Sequence, residues 1–141
     1  MAFLLDTNLV SELRKMDRCD HHVVAWQRAA SEQECFISAI SMMEIRNGIL
    51  SARAKNPEFA EALEEWYENQ VKVTFSGRVL SIDLAVSECC STLLNKRTRN
   101  LADALIAATA QVNDLTLATR KTADFSDCEI KLVNPWQPAT H

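Results

Sequence analysis

The sequence predicts an α/β fold with a central, mostly parallel sheet and helices on both faces. Short runs of β-forming residues alternate along the chain with longer helical patterns, which is typical of βαβ units. Only two glycines and three prolines occur in 141 residues, so long regular elements with short connections are expected. This length suits one hydrophobic core, and we expect a single domain over residues 1–141.

Five short runs are predicted to be strands, because each is apolar or β-branched and is bounded by polar or turn-forming residues. They are Phe3–Leu5, Cys35–Ser38, Val79–Ile82, Leu115–Thr119 and Ile130–Val133. The third is the weakest, since it also fits the entry to a helix. Asn134 and Pro135 end the fifth.

Helical patterns lie between the strands. One helix begins soon after the second strand, near residues 38–41, and carries Glu44. Apolar residues recur at helical spacing after Pro57 and again over residues 86–94. Residues 101–112 are rich in alanine, which suits close packing of a helix backbone on the sheet.

Composition narrows the possible functions. A net charge of −4 argues against bulk electrostatic binding of nucleic acid, but it allows a nuclease whose carboxylates hold a divalent metal ion. No apolar run approaches the roughly 20 residues of a membrane span, and the N-terminus turns acidic too early for a signal peptide. Five cysteines without a CxxC pair indicate reduced thiols rather than a zinc site. We expect a cytoplasmic protein that does not bind membranes.

Several acids fall where sites form in open α/β sheets, beyond the carboxyl ends of the strands. Asp6 directly follows the first strand, and Asp124 follows the fourth across a short turn. Asp103 lies in the first turn of the alanine-rich helix. Each of these three has an ordinary explanation, as a cap, a first-turn acid or a turn residue. Glu44 is harder to explain as an ordinary surface residue, because its sequence neighbours are apolar. Gly48, a poor helix former, lies one helical turn later on the same face and leaves space beside the Glu44 carboxylate.

Taken together, the four acids indicate a metal site. Carboxylates gathered at one sheet edge repel one another, and a divalent cation would neutralise them. Oxygen ligands favour Mg²⁺ or Mn²⁺ over zinc. Such an ion activates water and offsets charge on a leaving oxygen, so phosphodiester hydrolysis needs no nucleophilic side chain. The sequence alone leaves open whether the four acids converge.

Four segments, in this order, resemble the motifs of PIN-domain toxins of the VapC type, and the FitB-like subgroup is the most similar. They are residues 3–15 (FLLDTNLVSELRK), 38–49 (SAISMMEIRNGI), 102–110 (ADALIAATA) and 118–125 (ATRKTADF). Residues 132–136 (LVNPW) are similar to the closing strand of that subgroup. Each motif alone is weak evidence for the family, but four motifs in the family's order are specific evidence. The similarity extends over nearly the whole chain.

The resemblance implies a PIN fold and a Mg²⁺- or Mn²⁺-dependent endoribonuclease, the toxin of a type II toxin–antitoxin system. It also implies a homodimer, inhibition by a cognate antitoxin, and contact with DNA only through that antitoxin. The catalytic and metal-binding acids that it implies are Asp6, Glu44, Asp103 and Asp124, with Thr7 and Thr119 as supporting polar residues. Lys121 departs from the pattern, since related toxins often carry asparagine there.

Basic residues beside these motifs are candidates for contacts with RNA phosphates. The candidates are Arg46, Arg99, Arg120 and Lys121. For any one of them, a solvated surface charge is the simpler explanation, and Lys121 is also a candidate counter-charge for the acids. No aromatic platform for stacking bases is recognisable, so the sequence predicts no RNA specificity.

Three alternatives remain at this point. A phosphohydrolase of the haloacid dehalogenase kind would use Asp6 as nucleophile, but it expects a second acid where this chain has Asn8. A phospho-acceptor signalling domain would use Thr119 and Lys121, but no aspartate ends a central strand in the expected place. The third alternative is a catalytically inactive PIN-fold binding module, and the presence of all four acids argues against it.

Overall fold

The computed structural model describes residues 1–138 and contains one five-stranded sheet in the order β3-β2-β1-β4-β5. The strands are β1 (Phe3–Leu5), β2 (Cys35–Ser38), β3 (Val79–Leu80), β4 (Thr116–Ala118) and β5 (Leu132–Val133). All four pairings are parallel. The α/β class and the five predicted strands are confirmed, although β3, β4 and β5 are shorter than predicted.

Strand β1 lies at the centre, and its pairing sets up the edge at which a site can form. Leu5, the last residue of β1, pairs with Ala118, the last residue of β4. The residues that follow these two strands therefore emerge side by side. The strand order also reverses here, and open α/β sheets bind ligands at such switch points.

The order of the strands bears on one of the alternatives. Flavodoxin-like folds, which include phospho-acceptor signalling domains, have the order 2-1-3-4-5. The observed order is 3-2-1-4-5. The sheet therefore contradicts the phospho-acceptor alternative.

Seven helices are described, and most have a side-chain cap that explains where they begin. They are α1 (Thr7–Leu13), α2 (His21–Ala29), α3 (Ala39–Lys55), α4 (Pro57–Trp66), α5 (Lys72–Thr74), α6 (Leu84–Lys96) and α7 (Leu101–Val112). Ser38 caps α3, Asn56 caps α4 just before Pro57, and Asn100 caps α7. A π-helical turn, Tyr67–Val71, joins α4 to α5, and a 3₁₀ turn, Thr122–Phe125, follows β4.

The side chains of β1 alternate between two cores. Leu4 is buried with residues of α6 and α7 on one face of the sheet. Leu5 is buried on the other face, with residues of α1, α2 and α3. Fully burying a large aliphatic side chain contributes about 1.5–3 kcal/mol to stability, so the cores on both faces stabilise the sheet. Helices thus cover both faces, as predicted.

The cysteines and the helix lengths agree with the sequence-based expectations. All five cysteines are free thiols, as expected from their number and spacing. Over residues 1–138, the helices are too short or too polar for any of them to cross a lipid bilayer.

Candidate active site

Asp6 lies at the centre of the candidate site. It is the N-cap of α1, and its Oδ1 accepts a 2.8 Å hydrogen bond from the amide of Thr7. Its own amide donates to the Ala118 carbonyl at 3.0 Å, which continues the pairing of β1 with β4. Asp6 therefore caps a helix, as its ordinary explanation predicted, and it also lies at the sheet edge where the site was predicted.

The second oxygen of Asp6 is held by Thr119. The Thr119 hydroxyl donates to Oδ2 of Asp6 at 2.7 Å, and the two residues are 0% and 2% exposed. Burial raises the pKa of Asp6 above its ordinary value, and the Thr119 hydrogen bond and the nearby Lys121 ammonium only partly oppose this shift. Such a buried, energetically costly carboxylate is more typical of a functional site than of a structural one.

Glu44 is connected to α1 through Thr7. The Thr7 hydroxyl lies 2.7 Å from Oε1 of Glu44 and 2.8 Å from Oγ of Ser41. Since a carboxylate only accepts, Thr7 donates to Glu44, and Ser41 supplies the proton of the other bond. Ser41 is fully buried and was not predicted as a site residue. Its spacing of three residues from Glu44, which puts both on one helix face, is the signal that would have found it.

The surroundings of Glu44 differ from those expected. Met43 is 51% exposed and Ile45 is buried, so the apolar neighbours of Glu44 do not enclose it. Gly48 is exposed, and a Cβ added there would meet no atom within 4 Å. Within residues 1–138, no group from outside its own helix turn approaches the Cβ position of Gly48, and Glu44 is positioned by Thr7.

Asp103 is held by a cap and contacts a lysine. Oδ1 of Asn100 accepts from the Asp103 amide at 3.1 Å, which fixes the first turn of α7. The Asp103 carboxylate lies 3.3 and 3.4 Å from Nζ of Lys121, and these side chains are 19% and 36% exposed. The Lys121 amide also donates to the Thr119 hydroxyl at 3.0 Å. Asn100 is a supporting residue that the sequence reasoning missed, and the pattern Asn-x-x-Asp signals it.

The Lys121 ammonium is the counter-charge of three acids. Burial acts to lower the pKa of Lys121, but the Asp103, Asp6 and Glu44 carboxylates outweigh it and raise this pKa above the ordinary value. The positive charge of Lys121 therefore offsets part of the negative charge of these three acids. The arrangement explains how the fold tolerates them close together.

Asp124 does not join the other three acids. It lies in the 3₁₀ turn after β4 with its side chain exposed, whereas its neighbour Phe125 is buried in the core. Within the described residues its carboxylate forms no hydrogen bond or ion pair, and its backbone carbonyl accepts from Arg97. Side-chain contacts through Thr7, Thr119 and Lys121 connect Asp6, Glu44 and Asp103, and in the described residues no such contact reaches Asp124.

The acids of the site meet some of the requirements of a metal ion. In residues 1–138, no three acidic, histidine or cysteine side chains are arranged to hold an ion. The chemistry of the acids still fits a hard divalent cation, because their donors are oxygens only. A positive charge is already accommodated among these acids, because the Lys121 ammonium pairs with Asp103. These three residues therefore fit Mg²⁺ or Mn²⁺ in donor type and charge.

Two of the predicted phosphate contacts are engaged in ion pairs. Arg46 pairs with Glu64 at 2.8 Å between α3 and α4. Arg99 has a side chain only 5% exposed and forms an ion pair with Asp127 at 2.5 Å. This placement argues against a phosphate contact for Arg99, because its guanidinium is already paired and shielded from solvent.

The remaining basic candidates lie next to each other after β4. Arg120 is exposed, and its guanidinium stacks on the Trp136 ring at 4.3 Å from the centroid. Lys121 faces the acids, as described above. The basic groups are therefore not equivalent, and Arg120 is the most accessible of them.

The PIN domain family model matches residues 3–129, a span that contains all the candidate site residues. The chain belongs to the PIN-domain family. The PIN fold expected from the four motifs is thereby confirmed, and it agrees with the observed parallel sheet.

Two PIN-domain relatives are similar over almost their full length. One is a VapC ribonuclease from Sinorhizobium fredii, 34% identical over 96% of this chain and 99% of the relative. The other is the toxin FitB from Neisseria gonorrhoeae, also 34% identical, over 94% of this chain and 97% of the relative. The expected likeness to VapC and FitB proteins is confirmed.

Solved structures give the same result. FitAB bound to a DNA fragment contains a chain with a TM-score of 0.86 and 31% identity, and the match covers 99% of both chains. A toxin–antitoxin complex from Klebsiella pneumoniae gives a TM-score of 0.71 at 28% identity, over 97% of this chain and 99% of that one. The PIN-domain neighbours of this chain thus include components of toxin–antitoxin assemblies.

Proposed function

We propose that this chain is a Mg²⁺- or Mn²⁺-dependent endoribonuclease that acts as the toxin of a toxin–antitoxin pair. The observation that carries the proposal is the buried Asp6 carboxylate, oriented by Thr119 and the Thr7 amide where β1 and β4 end. A VapC ribonuclease and the toxin FitB among the relatives support the same activity.

The acids have unequal roles in the proposal. Asp6 and Asp103 are the direct metal ligands, because hydrogen bonds from Thr7 and Thr119 orient the Asp6 carboxylate and the Asp103 carboxylate already binds the Lys121 ammonium. Glu44, held by Thr7, and Asp124, exposed on its turn, act through water molecules. When bound, the ion supplies an activated water and offsets charge on the leaving oxygen. The protein's part is to hold the carboxylates ready, so that little reorganisation is needed.

The substrate is RNA, contacted through its phosphates. Arg120 is exposed one residue after Thr119, at the same edge of the sheet as Asp6. Arg46 lies two residues after Glu44 and is partly exposed despite its ion pair with Glu64. Exposed ion pairs of this kind contribute little to stability, so an RNA phosphate can compete with Glu64 for the Arg46 guanidinium. Both arginines are therefore proposed as phosphate contacts.

The partners are a cognate antitoxin and a second copy of this chain. The support is the similarity to a chain of a toxin–antitoxin complex and to one in an assembly with DNA. By analogy, DNA is contacted through the antitoxin. This chain has a net charge of −4, which disfavours direct binding to DNA.

Cleavage of RNA by the purified protein tests the activity. We expect cleavage with Mg²⁺ or Mn²⁺, its loss in EDTA, and its loss in Asp6→Asn and Asp103→Asn. Asp17→Asn is the matched control, since Asp17 is exposed on the turn Met16–Arg18 and takes part in none of the site contacts described above. Undiminished cleavage in both site variants would overturn the metal assignment. A folded wild-type protein that binds its antitoxin but never cleaves RNA would favour the inactive binding module.

The toxin role has its own test. Expression of the chain alone should arrest bacterial growth, and co-expression with the product of a small upstream gene should relieve the arrest. The Asp6→Asn variant, expressed at the same level, should be harmless. Equal arrest by the wild type and this variant would contradict a toxicity based on RNA cleavage.

A further inference from the structure

Lys121 faces the edge of a carboxylate that the proposed function assigns to a metal ion. Its Nζ is nearly equidistant from the two oxygens of Asp103, at 3.3 and 3.4 Å. The same ammonium interacts electrostatically with Asp6 and Glu44. It therefore pairs with Asp103 and offsets part of the negative charge that would otherwise attract a divalent ion to the three acids.

The backbone and the side chain of Lys121 are held differently. The amide is fixed by its 3.0 Å hydrogen bond to the Thr119 hydroxyl, which in turn donates to Asp6. The side chain is 36% exposed, and its contacts with the site are those of its terminal ammonium. A lysine stem is flexible, and its ammonium is well hydrated in water. The ammonium can thus leave Asp103 for solvent without disturbing the Thr119–Asp6 hydrogen bond.

We propose that the Lys121 ammonium competes with the divalent ion for Asp103, so that this lysine sets the metal affinity of the site. The inference rests on the proposed metal-dependent function. The ammonium and a metal ion are both cations, and both seek the same carboxylate edge, so occupancy by one disfavours the other. Lys121 thereby stabilises the metal-free protein and weakens metal binding.

This competition predicts opposite effects on two quantities when Lys121 is replaced by methionine, which keeps an unbranched side chain, one atom shorter, but removes the charge. The metal-free Lys121→Met protein should melt at a lower temperature than the wild type, because three acids lose their counter-charge. Its dissociation constant for Mn²⁺ should fall by about tenfold, which corresponds to about 1.4 kcal/mol. Saturating Mn²⁺ should therefore raise the melting temperature of this variant more than that of the wild type.

The experiment is a calorimetric titration with MnCl₂ alone, without RNA, combined with thermal unfolding in EDTA and in Mn²⁺. Lys131→Met is the matched control, since Lys131 is exposed beside β5 and should leave both quantities unchanged. Lys121→Arg keeps the charge and should keep the weaker affinity. A purely structural role for Lys121 would lower the melting temperature without tightening Mn²⁺ binding.

The outcomes separate this inference from the proposed function. If the wild type and Lys121→Met bind Mn²⁺ equally, or if the variant binds it more weakly, the competition is overturned while metal binding stands. If neither protein binds Mn²⁺ or Mg²⁺, the metal-dependent function fails, and the inference fails with it. Tighter binding by Lys121→Met alone, with both controls at the wild-type affinity, supports the inference.

Discussion

The hydroxyl of Thr119 donates a 2.7 Å hydrogen bond to Oδ2 of Asp6, across 113 residues of sequence. The contact exists because Leu5 and Ala118 pair in register at the ends of two parallel strands. It joins the first and fourth motifs of the chain in one buried unit. The Lys121 amide donates to the same Thr119 hydroxyl, and the Lys121 ammonium connects this unit to Asp103.

Removing the Thr119 hydroxyl should impair both the fold and the activity. In Thr119→Val the shape is nearly kept, but Oδ2 of Asp6 loses its donor in a buried place. We expect a loss of about 1–3 kcal/mol in the free energy of unfolding. Replacing a residue that orients a metal ligand typically lowers metal affinity or activity by about 10–100-fold. The rate of RNA cleavage should therefore fall by at least about tenfold. Denaturant unfolding and single-turnover cleavage measure the two effects.

Thr116→Val is the control for this change, since Thr116 is buried at the other end of β4. It should retain cleavage even if the substitution alters stability. Full activity in Thr119→Val would mean that Asp6 needs no orientation by this hydroxyl.

Replacing Asp6 by asparagine should stabilise the metal-free protein while abolishing cleavage. The raised pKa of Asp6, caused first by burial, means that its ionised form is less favourable in the folded state than in the unfolded one. At neutral pH, well above the ordinary carboxyl range, a neutral amide removes this penalty. Each kcal/mol relieved raises the melting temperature of a protein of this size by roughly 2–4 °C. A lower melting temperature in EDTA than that of the wild type would contradict the prediction.

The Arg99–Asp127 ion pair should contribute stability that depends on pH. The hydrogen bond from Arg99 lowers the pKa of Asp127 below its ordinary value of 3.8. A lowered folded-state pKa means that the contribution is complete above about pH 4 and is lost as the pH falls through the folded value. Asp127→Asn should therefore be less stable than the wild type at pH 7, and the difference should shrink toward pH 3.

Chemical unfolding at several pH values measures this difference. Asp17→Asn, on an exposed turn, should differ little from the wild type throughout. If the gap between Asp127→Asn and the wild type stays constant from pH 7 to pH 3, the ion pair is not its source.

Gly48→Ala should stabilise the protein. Gly48 lies inside α3, and a Cβ there would meet no atom within 4 Å. Alanine is favoured over glycine in a helix interior by about 1 kcal/mol. Asn47→Ala, at the neighbouring exposed position, should gain less, because asparagine costs a helix less than glycine. Thermal unfolding compares the two, and a destabilised Gly48→Ala would contradict the open space seen at this position.

The fold class and the neighbourhood of the site follow from the order of residue types along the chain. Alternating strand and helix patterns specify a parallel sheet, and acids placed just after strands or at helix starts must lie near its carboxyl edge. Local rules suffice for this, since Asp6 begins α1 and Asp103 lies in the first turn of α7. The four motifs, matched in order, added the family, which the comparisons confirmed.

Which side chains contact one another depends on how distant segments pack in three dimensions. Strand register joins Thr119 to Asp6, and the packing of α1 on α3 joins Thr7 to Glu44. The burial of Phe125 accompanies the outward position of Asp124. These contacts depend on the relative placement of distant segments to within an ångström or so. A linear pattern of residue types carries no such distances, and the long-range packing of the two cores supplies them.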